Sequence, residues 1–304
     1  MNVRPPAAGD LAELLALSRA ADEAVWGDSD WTERDLREYL EEVDADSARD
    51  GWVVELDGRI AGWATFEARD SGLLIGDGYV HPELAGRGVG SRLIDLYESR
   101  AARTPGGVGL ESAALLGDGA ADALFRLRGF APAGRFVRML VEHDRAPEPP
   151  RWPDGIEARP FRLGEAEALH AAHQEAFAEE RNFRPQAFGE WAEQRLDRDG
   201  FDPSLTWVAW ADGEVAGFSL NDAERHGTWG WIGAIGVRPA WRRRGLGEAL
   251  LRASFAEFWT RGERRVALSV DADNVTGATR LYERVGMDVL WQSIVYRKEL
   301  NGGG

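Results

Sequence analysis

The sequence predicts an α/β protein built from two copies of one mixed-sheet domain, and three observations carry that reading. The chain has 304 residues, enough for two cores of about 150 residues each. Its two halves repeat one another in register. Within each half the apolar patterns run strand, helices, strands, helix, strand, helix, which places helices on both faces of a mixed sheet.

The repeat is specific. Arg4-Pro5 recurs as Arg159-Pro160, Trp52-Val53 as Trp207-Val208, and the run Asp57 to Gly62 as Asp212 to Gly217, at an offset of 155 (Arg4 to Arg159). From Val80 the offset is 157 (Val80 to Val237), and it holds through Gly88 with Gly245, Gly90 with Gly247 and Gly129 with Gly286. One length change in a hairpin region accounts for the whole alignment, so the chain is an internal duplication. Between the copies lies HDRAPEPPRWPDG (143–155), whose prolines and charges suit an exposed linker. The domains expected are therefore 1–142 and 156–300, joined by 143–155.

Each element has its own justification. DLAELLALSRAADEA and WTERDLREYLEEV carry helical periodicity; GWVVEL, a turn at Asp57-Gly58 and RIAGWATFEA predict a hairpin, repeated as LTWVAWADGEVAGFSL. A further strand, WGWIGAIGV (229–237), runs up to Pro239, which cannot continue a central ladder. RRRGLG then opens a helix on which Gly247, Leu250, Leu251, Ser254, Phe255 and Phe258 form one stripe. Strand RVALSV follows, then helix TGATRLYERV ending at Gly286, a C′ glycine.

A net charge of −16 argues against binding a phosphate backbone as the main activity, so nucleic acid is not an expected partner. The chain has no cysteine, which excludes disulfides, thiolate metal sites and a cysteine nucleophile; no metal is expected. The start lacks a signal-peptide core and no apolar run is long enough for a membrane span, so the expected setting is the cytoplasm, without a membrane partner. Lys298 is the one lysine, and that arginine bias suggests a bacterial, GC-rich source.

RPAWRRRGLG (238–247) and its first-copy counterpart HPELAGRGVG (81–90) carry the chemistry. Arg242, Arg243 and Arg244 crowd a predicted helix N-terminus, where each cation is unfavourable by roughly 0.3–1 kcal/mol unless something compensates. Gly245 and Gly247 leave the first-turn amides uncovered, so the loop offers a donor nest flanked by guanidinium groups, suited to a polyphosphate. A solvated basic turn paired with acidic residues is the alternative. A dinucleotide fingerprint is disfavoured, because the turn comes late in the domain and lacks GxGxxG.

Strand, V-R/H-P, then R-x-x-G-x-G opening a helix resembles the acetyl-CoA loop of the GNAT N-acetyltransferase superfamily. DNVTGATRLYERVGM (273–287) is similar to that family's second signature, and both occur in order in a chain whose halves have the family's domain size. The resemblance implies two tandem GNAT domains using acetyl-CoA as co-substrate. It implies that the diphosphate rests on the amides around Arg243, Arg244, Gly245, Leu246 and Gly247, with Arg242 and Arg244 adding charge. The pantetheine arm would pair with backbone at Ile235 and Val237, and Asn274 would bond the cofactor near the thioester. Tyr282 lies on an apolar helical face with Ala278, Leu281 and Val285, so spacing alone makes it a core residue. In the family a tyrosine here gives its proton to the departing thiolate, which makes Tyr282 the expected catalytic residue.

The first copy departs from this pattern: Arg242 becomes Ala85, Asn274 becomes Gly117 and Tyr282 becomes Phe125, while Arg87, Gly88 and Gly90 remain. Catalysis is therefore expected in the second copy alone. Many family members carry a glutamate on the fourth strand, near Trp231; tryptophan there leaves the base open among Asp222, Glu224 and His226 in the preceding loop and Asp271 after the fifth strand. Trp231 is either an acceptor-pocket residue or sheet packing. The expected partner is a small-molecule amine acceptor and the expected assembly a monomer or homodimer. The tandem layout is also similar to that of the mycothiol synthases, which acetylate a cysteinyl pseudodisaccharide, although the missing glutamate counts against that acceptor. A non-catalytic acyl-CoA binding module is the rival from another class.

Overall fold

The computed structural model describes residues 1–45, 49–69, 71–180, 183–197, 201–223, 229–272 and 278–300. They form two compact units, Met1–Phe136 with Trp291–Gly304, and Val137–Leu290.

Unit 1 runs β1 (Asn2–Arg4), α1 (Leu11–Trp26), α2 (Glu33–Ala45), β2 (Arg49–Leu56), β3 (Arg59–Ala68), β4 (Leu73–Val80), α3 (Val89–Ala101), β5 (Gly109–Leu115) and α4 (Gly119–Leu127), then enters β6 (Ala131–Glu142). Gly27 stops α1 in the left-handed conformation (φ 90°), its amide donating to Glu23 O at 3.1 Å. Asp118 caps α4 by accepting from the Ala121 amide at 2.9 Å. Leu14, Leu17 and Leu36 of α1 and α2 pack on Val53, Ile60 and Trp63; on the other face Leu93, Ile94 and Tyr97 of α3, with Phe125 of α4, pack on Val54, Ala64 and Phe66.

Unit 2 repeats the plan as β7 (Glu157–Pro160), α5 (Ala166–Phe177), α6 (Phe188–Arg195), β8 (Trp207–Ala211), β9 (Glu214–Asp222), β10 (Gly230–Val237), α7 (Leu246–Thr260), β11 (Arg265–Asp271) and α8 (Ala278–Arg284), and the chain ends in β12 (Asp288–Glu299). Leu169 and Trp191 of α5 and α6 cover Val208, Val215 and Phe218. The stripe expected on α7 is buried at Leu250, Leu251, Ser254, Phe255 and Phe258. Gly286 has φ 90°, as a C′ glycine requires.

The last strand of each unit comes from the other half of the chain. In unit 1 the sheet order is β1-β2-β3-β4-β5-β12, with β12 antiparallel to β5 from Ser293↔Leu115 to Glu299↔Gly109. In unit 2 the order is β6-β11-β10-β9-β8-β7. Alternate residues Val137, Met139 and Val141 of β6 enter the α7–α8 core, while Tyr296 of β12 stacks on Phe125 with centroids 4.8 Å apart. Neither β6 nor β12 was among the strands expected from the sequence.

His173 shows how the copies diverged inside the core. It is 5% exposed, sandwiched by Phe177 (4.7 Å) and Phe218 (5.7 Å), and its Nδ1 has no hydrogen-bond partner among the described residues. Its counterpart Ser18 bonds Leu14 O at 3.0 Å and accepts from Trp63 Nε1 at 2.9 Å. Burial pulls the His173 imidazole down to about 3, with Arg195 and His170 adding repulsion. The unfolded chain takes up this proton below about 6.5 and the folded chain does not. Stability should therefore be unaffected above that pH and fall by up to about 1.4 kcal/mol per pH unit below it. Urea midpoints between pH 7 and 4.5 should show this decline, and His173→Phe should flatten it.

Candidate active site

The site begins where β10 leaves β11. The two strands pair in parallel only at Gly230↔Val266 and Trp231↔Ala267; among the described residues no further pair joins them. On its other side β10 stays paired with β9 up to Val237↔Gly217, but with a bulge between Ile232 and Ala234. Gly233 is the extra residue and is exposed. A Cβ there would lie 3.2 Å from Asp222 Oδ2, so a side chain at this position would crowd that carboxylate.

The ladder and its bulge sort side chains by face. Asp222 and Trp231 are directly paired on the α5 face, and both are buried, at 5% and 7% exposure. Asp222 is thus the last residue of β9, not a loop residue as the sequence suggested. Asp271 closes β11 and is half-buried. On the α7 face Tyr282 is buried in one cluster with Ile232, Val266, Leu268 and the half-buried Ile235. Val237, also half-buried, ends the open strand. No hydrogen bond among the described residues engages the Tyr282 hydroxyl. Burial, with the Glu180 carboxylate adding repulsion, raises its pKa above the ordinary phenol value and keeps the proton on. Asn274, Glu224 and His226 lie outside the described residues.

Past Val237 the chain turns into the arginine loop. Gly245, at φ 84°, caps α7 without any side-chain hydrogen bond, and an α-helix leaves its first amides without intrahelical acceptors. Arg243 holds φ 61°, a left-handed conformation costing a non-glycine residue about 1 kcal/mol; the first copy has Gly86 there at φ 75°. Gly247 has a different task. A Cβ there would meet Leu281 Cδ2 at 3.0 Å, and Gly90 stands in the same relation to Leu124 at 2.9 Å, so this glycine admits the helix that follows.

The three arginines divide their roles. Arg242 is turned back into the fold: Nε donates to Val237 O (3.1 Å), Nη2 to Ala176 O (3.0 Å) and Nη1 to Glu179 (2.5 Å). Its guanidinium buttresses the loop and does not stand with the exposed charges. Arg243 and Arg244 are exposed, and among the described residues no carboxylate is within ion-pair distance of either. Arg244 lies over the Trp241 ring, 4.9 Å from its centroid. In unit 1 the corresponding Arg87 is neutralised by Asp57 at 2.6 Å, and Leu84 replaces Trp241.

Arg138, which no motif indicated, belongs to the same site. It reaches unit 2 on the exchanged strand β6, is 7% exposed, and holds its guanidinium 4.5 Å from the Trp231 ring centroid. The signal available in the sequence was an arginine inside the apolar run FVRMLV, but the partner strand is set by tertiary pairing.

The Acetyltransferase (GNAT) family model matches residues 11–130 and again 166–287. The chain belongs to the GNAT acetyltransferase family, as a tandem pair. GNAT relatives include the mycothiol acetyltransferase of Thermobispora bispora, 34% identical over 95% of this chain and 96% of that protein. That of Acidothermus cellulolyticus is 33% identical over 79% of this chain and 78% of that protein. Among solved GNAT structures, a GCN5-related N-acetyltransferase from Sphaerobacter thermophilus superposes with TM-score 0.85 at 32% identity, covering 100% of this chain and 96% of its own. A tandem GNAT protein from the clavulanic acid biosynthesis pathway shares the fold, with TM-score 0.76 at 18% identity, over 100% of this chain and 99% of that one. The family uses acetyl-CoA as co-substrate, and an open strand edge leading to uncapped amides and uncompensated arginines fits that carrier.

Arg243→Gly separates the two costs at this position. Relief of the left-handed strain should leave the thermal midpoint unchanged or raised, while loss of an exposed cation should weaken CoA binding by about tenfold in calorimetric titration.

Proposed function

We propose that unit 2 transfers the acetyl group of acetyl-CoA to a primary amine of a small molecule. The observation that carries this reading is the contrast between the loops: among the described residues no carboxylate pairs with Arg243 or Arg244 beside the uncapped helix amides, whereas Arg87 is neutralised by Asp57. The amides at Arg243 to Gly247 and the Arg244 guanidinium hold the diphosphate; Arg242 positions the loop. Backbone at Ile235 and Val237, on the open edge of β10, receives the amide-bearing arm, and Asn274 is the proposed partner near the thioester. Acetyl-CoA, when bound, supplies the acyl group as a thioester.

The chain's own residues then manage protons on the two faces of β10. On the α5 face Asp222, beside Trp231 and the Gly233 bulge, receives the cationic amine and takes its proton, so that the nitrogen lone pair is free to attack. Arg138, stacked on Trp231, orients the acceptor through hydrogen-bond acceptors on that molecule. On the α7 face the Tyr282 hydroxyl donates its proton to the sulfur as the carbon–sulfur bond breaks. Asp271 and His226 are the remaining proposed acceptor-side residues. Unit 1 has Phe125 where this acid stands, so turnover belongs to unit 2. Small-molecule chemistry of this kind suits a cytoplasmic enzyme; among the described residues no helix is long and apolar enough to cross a membrane.

A second reading makes the acceptor that of the mycothiol acetyltransferases. It is favoured by 34% identity to one of them along nearly the whole of both chains.

An amine panel that includes the cysteinyl pseudodisaccharide, with detection of released CoA thiol, tests both readings. Tyr282→Phe should lower kcat about 10²-fold with little change in the KM for acetyl-CoA, and Phe125→Tyr should leave turnover as it is. Turnover that survives Tyr282→Phe would refute the assignment.

A further inference from the structure

Unit 1 contains a desolvated carboxylate that its fold does not need. Asp77 lies on β4 past the last parallel pair with β5, Ile75↔Glu111, on the face covered by α1 and α2. Surrounding protein crowds it enough to raise its pKa, yet it is not fully buried, a combination that describes the floor of a cleft. Its partners are neutral: the Tyr39 hydroxyl donates to Oδ2 at 3.4 Å, and the Gly78 amide bonds it. Among the described residues no arginine, lysine or histidine forms an ion pair with it. Carboxylates removed from water are normally matched by a cation, because an unmatched one is among the most expensive groups a fold can hold. Among the described residues no such cation is paired with Asp77.

The walls are aromatic. Tyr79 shares Asp77's sheet face and stacks on Trp63 at 5.7 Å; Trp31 meets Tyr39, Trp63 and Tyr79 edge-on at 5.6–6.0 Å and donates its indole N–H to the Tyr79 hydroxyl at 3.1 Å. A second buried carboxylate, Asp22, adds negative potential at Tyr79. The duplication supplies a control. Where unit 1 has Asp77, Tyr79 and Trp63, unit 2 has Ala234, Gly236 and Phe218 at the same ladder positions and keeps the same fold. The acidic and aromatic set is therefore an addition of unit 1, not a requirement of the domain.

We propose that unit 1 binds a small organic ammonium ion, its nitrogen paired with the Asp77 carboxylate and its carbon-bound hydrogens against the aromatic wall of Tyr39, Tyr79 and Trp31. Carboxylate and ring quadrupoles both favour a cation, and neither favours an anion or a neutral alcohol. The proposal concerns residues of unit 1 alone and does not rest on the function proposed for unit 2.

The test uses the full chain, with n-butylammonium as the probe and 1-pentanol as its neutral counterpart. The readout is the indole N–H resonance of Trp31, assigned by its loss in Trp31→Phe. Butylammonium should shift this resonance saturably and 1-pentanol should not. Asp77→Asn, isosteric and relieved of a desolvated charge, should weaken binding at least about tenfold, Tyr39→Phe less so, and Tyr282→Phe not at all. Equal binding by wild type and Asp77→Asn, an equal response to the alcohol, or no saturable shift in the wild type would each overturn the proposal. Should Asp77→Asn fail to fold, the ammonium–alcohol comparison in wild type and Tyr39→Phe still decides.

Discussion

The structure of unit 2 turns on a single defect in its sheet: β10 abandons β11 after two paired residues. A strand interior to a sheet normally satisfies its amides and carbonyls on both sides, and each unmatched group is a liability. Parting the strands is tolerated because β9 holds the other edge of β10, the bulge at Gly233 redirects the strand, and β6 closes the far side of β11. The opening then exposes backbone that can be paired by a ligand with its own amides, and it leads directly to the amides of α7. The proposed carrier site is thus made of polar groups that the fold leaves open.

Duplication provided two such openings, and the copies diverged in what surrounds them. In unit 1 β4 and β5 pair at three positions before parting, and β3 follows β4 without a bulge. Its corresponding loop keeps the left-handed geometry at Gly86 and Gly88, but there Asp57 neutralises Arg87. Unit 2 has an arginine at the strained position, and its Asp212, the counterpart of Asp57, forms no ion pair with Arg244 among the described residues. Strain at Arg243 and the charges of Arg243 and Arg244, which no carboxylate among the described residues matches, are costs that a ligand carrying phosphates can offset. Differences reach the cores as well: Ala64, Phe66 and Tyr97 of unit 1 correspond to Ser219, Asn221 and Ser254, which satisfy one another by hydrogen bonds of 2.8–3.0 Å. One backbone thus accepts either an apolar or a fully bonded polar filling.

The exchange of β6 and β12 has a chemical consequence for the site. Arg138 is coded in the first half of the chain and lies over Trp231 of the second, so neither half by itself contains the proposed acceptor face of unit 2. Tyr296 makes the reciprocal journey and fills the space against Phe125.

Local sequence determined much of this protein. The duplicated turns, the strand ending before Pro239, the stripe on α7 and the positive-φ glycines Gly88, Gly245 and Gly286 follow from periodicity and backbone sterics, which act over a few residues. Motif resemblance located the arginine loop and Tyr282 for the same reason, since a helix N-terminus and the loop before it are contiguous in sequence. Tertiary structure alone decided which arginine faces outward, because the partners of Arg242 are more than sixty residues away at Ala176 and Glu179. It also decided the bulge at Gly233, the burial of Asp222, the arrival of Arg138 and the pairing of β12 with β5. Strand order and register depend on contacts between distant segments, and a period of two residues states that a strand has two faces without naming its neighbour.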